Sequence, residues 1–232
     1  MSPLPLPSFG GWLSLGAVVL LALVLVPQHP RSETLIPLPA PSREGGLTVA
    51  EAIQQRRTIR RFAQKPLSQE QVGQLLWAAY GITDARGLRS APSAGALYPL
   101  DVYLVVGERQ VRDLAAGVYH YRPESHALAA RGRGDRRPAV ARSCLHQQWL
   151  AEAPILLIIT GEYRRCQVKY GQRGVRYTLL EAGHVGQNIF LQAESLGLGA
   201  GIVGAFEDDG LAQALGLPPA HEPLVVMPVG YK

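Results

Sequence analysis

The distribution of hydrophobic and polar residues divides this chain into apolar runs and amphipathic periods. Three apolar runs, at 101–107, 153–161 and 223–230, are typical of buried β-strands. The stretches GVYHY and HALAAR flank RPES and predict a β-hairpin. Helical periods occur among these strands without the strict alternation of a parallel α/β sheet. The pattern therefore predicts an α+β fold.

Two helices have start signals that are visible in the sequence. Thr48 with Glu51 matches a capping box, and Ser68 with Gln71 matches a second one. In each pair, a hydroxyl and a longer polar side chain satisfy the N–H groups that a helix start leaves unpaired. Gly81 is a suitable end for the second helix.

A longer helix is predicted over residues 177–196, and it contains Gly183 and Gly186 one turn apart. Glycine costs about 1 kcal/mol relative to alanine in a helix interior. We therefore expect close packing against this face. The neighbour is either a helix of a partner subunit or another part of the same subunit.

The N-terminal region has a different character. Residues 9–26 are uncharged and mostly apolar, and as a helix they would span about 27 Å of a bilayer core of about 30 Å. No basic residue precedes them and no small-x-small motif follows, which favours an uncleaved membrane anchor over a cleaved signal peptide. A buried core helix is the other alternative. Arg31 and Arg43 follow the segment and favour a cytoplasmic location for the domain.

Composition predicts the remaining segment boundaries. Residues 1–8 are a short tail, and residues 27–46 are rich in proline, which disfavours strand pairing and predicts an extended tether. Residues 47–232 then form the globular domain. Of the 232 residues 47% are hydrophobic, which is enough for a sizeable core.

Some partner classes are not expected from the sequence. The net charge of +5 is compatible with anionic ligands, but basic and aromatic residues do not interleave over a long stretch, so we expect no nucleic acid. Cys144 and Cys166 are far apart and match neither a zinc site nor a disulfide framework, so we expect no metal.

GAGIVG, residues 199–204, imitates the glycine pattern of a dinucleotide-binding fold. It follows a predicted helix rather than a strand, and only 28 residues come after it. We therefore interpret these glycines as positions where the backbone approaches something flat or bulky.

Two polar segments are candidates for ligand binding. RRTIRRF, residues 56–62, places four arginines and a threonine after the first helix. Arginine matches phosphate oxygens with its planar fork, although a solvated basic helix end is the alternative. APSAGALYP, residues 91–99, combines small residues with proline before a strand. It is either a loop that faces a ligand or an ordinary connection.

The densest polar stretch is KYGQRGVRYTLLEAGHVGQN, residues 169–188. Within it, Glu181, His184 and Asn188 share one face at helical spacing. Buried polar side chains usually form a satisfied network, so we favour a structural role for these three over direct catalysis.

Taken in order, these segments resemble the SagB/ThcOx-type branch of the nitroreductase family. The resemblance covers about residues 35–232 and rests on RRTIRRF, LLWAAYGITD, APSAGALYPLDVYLVVG, GVYHY, KYGxRGxRYxxLExGHxxQN and GLGAGIVGAFxD. It implies an FMN-dependent oxidoreductase with a central, mostly antiparallel sheet flanked by helices. It also implies a homodimer with flavin at the subunit interface.

The resemblance implies roles for particular residues as well. A lysine–tyrosine pair transfers a proton in the azoline-oxidising members, while hydride moves to flavin N5, and Lys169 and Tyr170 match that pair. The alternative for Lys169 is a solvated surface lysine. Three segments match the flavin contacts of the family. The segment that binds the phosphate, ribityl chain and ring edge is matched by Arg56, Arg57, Thr58 and Arg60, and the loop from the other subunit by Pro92, Ser93, Ala94, Gly95 and Leu97. The backbone near N5 is matched by Val203, Gly204 and Ala205.

Several functions fit this resemblance. The substrate is an azoline-containing peptide, or the enzyme is an NAD(P)H-dependent reductase of nitroaromatics or quinones. A flavin-binding scaffold or partner subunit without chemistry is the non-enzymatic alternative. Family members usually bring further basic residues to the phosphate after the last strand, a role for which Lys232 is the candidate here.

Overall fold

The computed structural model of the protein describes residues 1–2 and 34–232. Seven strands of the described part form one sheet. They are β1 (Leu35–Pro37), β2 (Leu100–Val106), β3 (Gly117–Arg122), β4 (Ala127–Arg133), β5 (Ile155–Gly161), β6 (Leu198–Ala200) and β7 (Glu222–Tyr231). Their order across the sheet is β1-β4-β3-β2-β5-β7-β6, and each neighbouring pair is antiparallel. The predicted α+β fold with an antiparallel sheet is confirmed.

Helices cover both faces of this sheet. They are α1 (Val49–Gln55), α2 (Gln69–Tyr80), α3 (Arg137–Ser143), α4 (Trp149–Glu152), α5 (Arg164–Tyr170), α6 (Arg173–Ser195) and α7 (Asp208–Leu215). Both predicted capping boxes are present, at the starts of α1 and α2. The hairpin around RPES is also confirmed, as β3 and β4.

The central strands are buried on both sides because successive side chains point to opposite faces. Leu157 of β5 belongs to the core under α2 and α6, whereas Leu156 belongs to the core under α3, α4 and α7. Both side chains are fully buried. Such strands appear as unbroken apolar runs, which is why they were recognisable in the sequence.

The proline-rich segment differs from the prediction of an extended tether. Residues 35–37 pair with β4 as an edge strand, and the described residues 34–232 belong to one compact unit. Pro37 is tolerated because an edge strand needs hydrogen bonds on one side only. Further along, Pro39 O accepts a hydrogen bond from the His126 ring at 3.0 Å. This part of the segment therefore belongs to the domain, which begins before residue 47.

The long helix begins earlier than predicted, at Arg173 instead of residue 177, and a separate helix precedes it. A Cβ on Gly174 would lie 2.7 Å from Gln167 N, so Gly174 allows α5 and α6 to pack closely. Gly171 has a φ of +53° and separates the two helices.

The two glycines inside α6 have different surroundings. A Cβ on Gly186 would contact Met227 and Ile202 at 3.6 and 3.7 Å, so Gly186 packs within the subunit. A Cβ on Gly183 would meet no atom within 4 Å, and Gly183 is exposed. Only Gly183 leaves room for a partner.

The predicted membrane anchor, residues 9–26, lies outside the described residues. Across positions 1–2 and 34–232, no helix has both the length and the hydropathy needed to cross a membrane. The two cysteines, Cys144 and Cys166, are buried free thiols. Burial raises the pKa of Cys144 to about 12, which disfavours the reactive thiolate at neutral pH.

The role of residues 35–37 as a strand can be tested by mutagenesis. Ile36 packs against the core while Leu35 is exposed. We expect Ile36→Ala to lower the free energy of unfolding by about 1–2 kcal/mol, less than for a fully buried isoleucine. Leu35→Ala should change it by less than about 0.5 kcal/mol. Urea denaturation measures both, and equal small effects would show that the segment is a tether.

Candidate active site

The loop before β2 contacts the end of α5. Gly95 has a φ of +62°, in the left-handed region that favours glycine. A Cβ on Gly95 would lie 2.7 Å from the Tyr170 hydroxyl and 3.1 Å from Lys169 Nζ. The structure therefore brings the candidate flavin-contacting loop together with the candidate catalytic pair, although the two are more than seventy residues apart in the sequence.

The loop itself has a tightly constrained conformation. Residues 94–96 form a single 3-10 turn, and the Tyr98 N–H donates to Ser93 Oγ at 3.0 Å. Ala96 and Tyr98 have φ values of +52° and +47°. Non-glycine residues in this region cost of order 1–3 kcal/mol and persist where the surrounding structure fixes them, often at functional sites.

A cleft of about 270 Å³ separates this loop from α6. It lies beside the exposed ammonium of Lys169 and the half-buried ring of Tyr170. The residues that line the cleft are Pro92, Ser93 and Ala94 from the loop and Tyr177, Leu180, Glu181 and His184 from α6. The Tyr170 and Tyr177 rings pack edge to face, with centroids 5.1 Å apart.

Glu181 is the buried acidic group of this cleft. The Tyr80 hydroxyl donates to Glu181 Oε1 at 2.5 Å. Burial raises the pKa of the Glu181 carboxyl, an effect that the nearby hydroxyls of Tyr80 and Ser93 offset in part. Burial also raises the pKa of Tyr80, so Tyr80 stays protonated and acts as the donor.

The sequence suggested that Glu181, His184 and Asn188 form one hydrogen-bond network. In the structure, the other two residues do not join Glu181 in such a network. Asn188 donates to the Ser90 carbonyl at 3.3 Å, and His184 is exposed at the cleft. The spacing placed the three on one face correctly. It did not reveal that Glu181 bonds to Tyr80, at the end of α2, while Asn188 bonds to Ser90 in the loop that follows.

The candidate phosphate segment lies beside β6, at one edge of the sheet. The Ile59 N–H donates to Ala200 O at 2.8 Å, and Thr58 forms an isolated bridge with Ala200. The arginines of the segment have separate contacts. Arg56 stacks on Phe190 at 5.0 Å, Arg60 lies 5.8 Å from the Trp149 ring centroid, and Arg57 donates to the carbonyls of Gln54 and Arg56 at 2.9 and 2.8 Å.

The backbone that follows β6 is partly open. Val203 is buried and pairs with Val226 through two backbone hydrogen bonds of 2.8 and 2.9 Å. Gly204 and Ala205 are exposed, and a Cβ on Gly204 would meet no atom within 4 Å. The structure thus presents an uncovered stretch of main chain next to the arginine segment.

These candidate residues form two clusters along α6. The arginine cluster, which consists of Arg56, Arg57, Thr58 and Arg60, contacts α6 at Phe190, and the cleft contacts it at Glu181. Nine residues of helix separate these positions by about 13 Å. Lys232 belongs to neither cluster, because its ammonium forms an ion pair of 2.5 Å with the buried carboxylate of Glu194.

An ion network on the other face of the sheet supports the loop and α5, and sequence reasoning missed it. Arg165 Nη1 lies 2.8 Å from Asp101 Oδ2, and Arg165 Nε lies 2.7 Å from Glu162 Oε2. The same guanidinium donates to the Tyr98 carbonyl at 3.2 Å. Arg165 precedes Lys169 by about one helical turn, so it connects the end of the loop with the helix of the candidate catalytic pair.

Asp101 is the centre of this network. Its Oδ1 lies 2.7 Å from His120 Nε2. Burial alone would raise the pKa of Asp101, but the His120 hydrogen bond and the Arg165 charge hold it below its usual value. The available sequence signal was an acidic residue inside the apolar run DVYLVVG, which in a buried strand requires a partner.

His221 borders the same network from the start of β7. Its Nδ1 is 2.8 Å from the Tyr103 hydroxyl, and its Nε2 is 3.6 Å from Asp101 Oδ2. Burial lowers the pKa of His221, and Asp101 opposes the shift only in part. Asp101, Glu162 and His221 have the atom types of a metal site. However, Arg165 already contacts both carboxylates.

Comparison with known proteins identifies the class to which this fold and site belong. Residues 53–231 match the model of the nitroreductase family. A protein of Methanocaldococcus jannaschii, whose name provisionally calls it a nitroreductase, is 41% identical over 186 residues, covering 80% of this chain and 92% of its own. The chain belongs to the nitroreductase family and is an oxidoreductase.

More distant relatives carry names that refer to peptide processing. The microcin B17-processing protein McbC of Escherichia coli is 30% identical over 65% of this chain, and the match spans 57% of McbC. The trifolitoxin-processing protein TfxB of Rhizobium leguminosarum is 31% identical over 47% of this chain and 30% of its own length.

Solved structures agree with this assignment. A structure from Ralstonia eutropha, provisionally described as a nitroreductase, has a TM-score of 0.75 and 29% identity, with coverage of 88% of this chain and 91% of its own. The E. coli microcin synthetase McbBCD, solved with a truncated pro-microcin bound, has a TM-score of 0.69 and 25% identity. That match covers 94% of this chain and 84% of the matched chain.

The contact of Gly95 with the catalytic pair leads to a prediction. Gly95→Ala and Gly216→Ala both place a side chain at a left-handed φ, of +62° and +64°, and each should cost about 1 kcal/mol. Only Gly95→Ala should also displace the Tyr170 ring, because a Cβ on Gly216 meets open space. NMR chemical shifts of residues 169 and 170 report this displacement. Identical shifts in both variants would contradict the contact.

The lowered pKa of His221 predicts how stability depends on pH. The unfolded chain takes up a proton on this ring as pH falls through about 6.5, whereas the folded protein resists protonation. The free energy of unfolding should therefore decrease as pH falls from 7 towards 5.

His221→Asn should flatten that decrease, since Asn retains an acceptor near the Tyr103 hydroxyl but does not titrate. The exposed His146 provides the control, and His146→Asn should leave the slope as it is in the wild type. Urea denaturation at several pH values measures the slopes. An unchanged slope in His221→Asn would show that other groups cause the acid sensitivity.

Proposed function

We propose that the protein is an FMN-dependent oxidoreductase of the SagB/ThcOx type. The residues of the arginine cluster fit the cofactor. Arg60 and Arg56 supply cationic donors for a phosphate, Thr58 supplies a hydroxyl, and the uncovered main chain at Gly204 has room for a flat ring. Lys232 makes a weaker phosphate ligand because Glu194 already neutralises its charge.

Bound FMN would supply the two-electron hydride chemistry, while the protein provides orientation and proton transfer. The observation that carries the proposal is the contact of Gly95 with Lys169 and Tyr170. It places an ammonium and a phenol at the loop expected to border the flavin. In this arrangement Lys169 and Tyr170 hold or move the proton that accompanies hydride transfer.

We also propose that the protein is a homodimer in which each flavin lies between the two subunits. The outer face of α6 supports this, because Leu179 and Leu180 are 49% and 55% exposed beside the open surface of Gly183. Large exposed apolar residues grouped on one face are typical of interaction surfaces. The arginine cluster of one subunit would face the cleft of the other.

The proposed reaction is oxidation of an azoline in a modified peptide to an azole. Two observations support this reaction. Lys169 and Tyr170 match the pair of the azoline-oxidising branch, and the chain is similar to McbC and TfxB, which are named as processing proteins. A second candidate is NAD(P)H-dependent reduction of nitroaromatics or quinones. The 41% identical relative, which is named as a nitroreductase, favours that activity.

The cofactor and the reaction are tested separately. We expect purified protein to bind FMN, to absorb in the flavin region, and to have twice the chain mass by light scattering. Colourless protein that takes up no FMN at micromolar concentration would refute the proposal. Loss of two hydrogen atoms from a model azoline peptide, measured by mass spectrometry, supports the oxidase. Rapid bleaching of the flavin by NADPH without azole formation supports the reductase.

Lys169→Ala tests the proposed proton transfer. Removing a general acid or base typically costs 10²–10⁴-fold in rate, so turnover should fall by at least about 100-fold while FMN stays bound. Lys65→Ala is the matched control, since Lys65 is exposed and lies over the Tyr231 ring at 3.8 Å. Full turnover of Lys169→Ala would assign Lys169 to the solvated surface.

A further inference from the structure

A second cavity adjoins the residues that hold the cleft loop, which is the loop of residues 92–98. Its volume is about 250 Å³, close to that of the cleft, and its walls include Arg89, Arg122 and Arg165. Guanidinium groups match the oxygens of anionic ligands with their planar fork. Three of them around one cavity of this size therefore point to a small anion.

Arg89 has donor groups that no described residue uses. Its side chain is 13% exposed, and its Cζ lies 4.3 and 4.6 Å from the ring centroids of Tyr80 and Tyr98. It forms one hydrogen bond, from Nη2 to Glu124 Oε1 at 3.2 Å. A guanidinium has five N–H donors, so most of them have no acceptor within the described part of the chain. Because the side chain lines the cavity, a ligand there can reach it.

Arg165 offers a further donor to the same cavity. Its Nη1 and Nε are engaged by Asp101, Glu162 and the Tyr98 carbonyl. Its Nη2 bonds to none of residues 1–2 and 34–232, and the side chain is 33% exposed. An anion in the cavity can therefore bond to Arg165 without breaking the contacts that this residue already makes.

Two carboxylates also line the cavity, but neither prevents an anion from binding. Asp101 is bound by Arg165 and by His120 Nε2 at 2.7 Å, which offset its charge. Glu124 is 67% exposed, and ion pairs with such exposed partners stabilise little. An anion can therefore take the place of Glu124 beside Arg89 while that carboxylate turns into solvent.

We infer that this cavity binds a small oxyanion, a free phosphate or the phosphate group of a metabolite, between Arg89 and Arg165. Phosphate has three or more acceptor oxygens and can accept from both guanidiniums at once. The site is separate from the arginine cluster assigned to FMN.

Bound phosphate would also act on the cleft loop. Arg165 holds Tyr98 at its carbonyl and Arg89 holds it at its ring, so both phosphate ligands contact the end of this loop. Gly95 of the same loop contacts the candidate catalytic pair. Phosphate that fixes both arginines would therefore stiffen the loop and regulate the cleft.

Titration with inorganic phosphate, at an ionic strength kept constant with chloride, tests the site. We expect saturable changes in the NMR chemical shifts of Tyr98 and Glu124. Hydrogen exchange of the Tyr98 amide, which donates to Ser93 Oγ, should become slower. Glycerol 3-phosphate distinguishes the source, since tighter binding than that of phosphate indicates a metabolite and weaker binding indicates the free ion.

Two results of this titration would contradict the inference. Absence of saturable shifts at Tyr98 and Glu124 with both probes would overturn the site and leave a hydrated ion network. Binding without slower exchange of the Tyr98 amide would overturn the link to the cleft loop.

Substitution of Arg89 connects binding to the cavity. Arg89→Gln should weaken phosphate binding at least about tenfold, because it removes charge-assisted hydrogen-bond donors. Arg86→Gln is the matched control, since Arg86 is an exposed arginine of the same loop, and it should leave the affinity unchanged. Equal affinities in the two variants would overturn the role of Arg89.

Glu124→Gln tests the same position in the opposite direction. It removes the competing carboxylate, so phosphate should bind about two- to fivefold more tightly. Glu152→Gln removes the same charge at an exposed position of α4 and should have no effect. An unchanged affinity in Glu124→Gln would overturn the site beside Arg89. Because Glu124 is exposed, this test holds even where Arg89→Gln does not fold.

The arginine cluster also attracts phosphate under the proposed function, and Arg60→Gln separates the two sites. This variant should retain the phosphate-dependent shifts of Tyr98 and Glu124, and their loss would overturn the assignment to this cavity. Protein that binds phosphate here but takes up no FMN would support the site and refute the flavin function. An FMN-loaded, active enzyme without these shifts would refute the site alone.

Discussion

The burial of β2, β5 and β7 on both faces is the constraint on which the candidate site depends. Their apolar side chains fill one core under α2 and α6 and another under α3, α4 and α7. Strands fixed in this way hold their ends in fixed positions. The cleft loop leads directly into β2, and α5 follows shortly after β5. These two segments meet at Gly95 because the antiparallel pairing places Leu100 beside Gly161.

Charged groups occur where this apolar framework ends. Asp101 and Glu162 lie at neighbouring strand ends, and Arg165 bridges them while it also bonds to Tyr98. A buried carboxylate is costly unless a positive charge and hydrogen bonds surround it. The Arg165 charge and the His120 hydrogen bond offset this cost, and Arg165 at the same time connects α5 with the sheet. The sheet therefore supports the cleft from the side opposite to the one on which α6 packs.

Much of the fold was predictable from the sequence because its signals are local. Capping boxes at Thr48 and Ser68, apolar runs and hairpin residues each reflect interactions within a few positions along the chain. The edge strand at 35–37 was not predictable, because the prolines around it favour an extended chain without strand pairing and because its pairing with β4 is a long-range contact. The role of Gly174 was not predictable for a related reason: it becomes visible only when α5 packs against α6.

The candidate site was predictable in its segments but not in its arrangement. The motifs selected the cleft loop, the arginine segment and the Lys169–Tyr170 pair. The acidic residue within the apolar run DVYLVVG indicates that Asp101 needs a partner, but the sequence does not reveal which side chains supply it. That depends on which side chains the tertiary structure brings within hydrogen-bond distance.

The position of Arg165 has a consequence for protein engineering. Residues 101 and 162 contact Arg165, and residues 120 and 221 contact Asp101, so substitutions at these positions would change the contacts that connect α5 with the cleft loop. Mutant libraries restricted to cleft-lining positions would omit this part of the protein. The residues that shape the cleft therefore include some that do not line it.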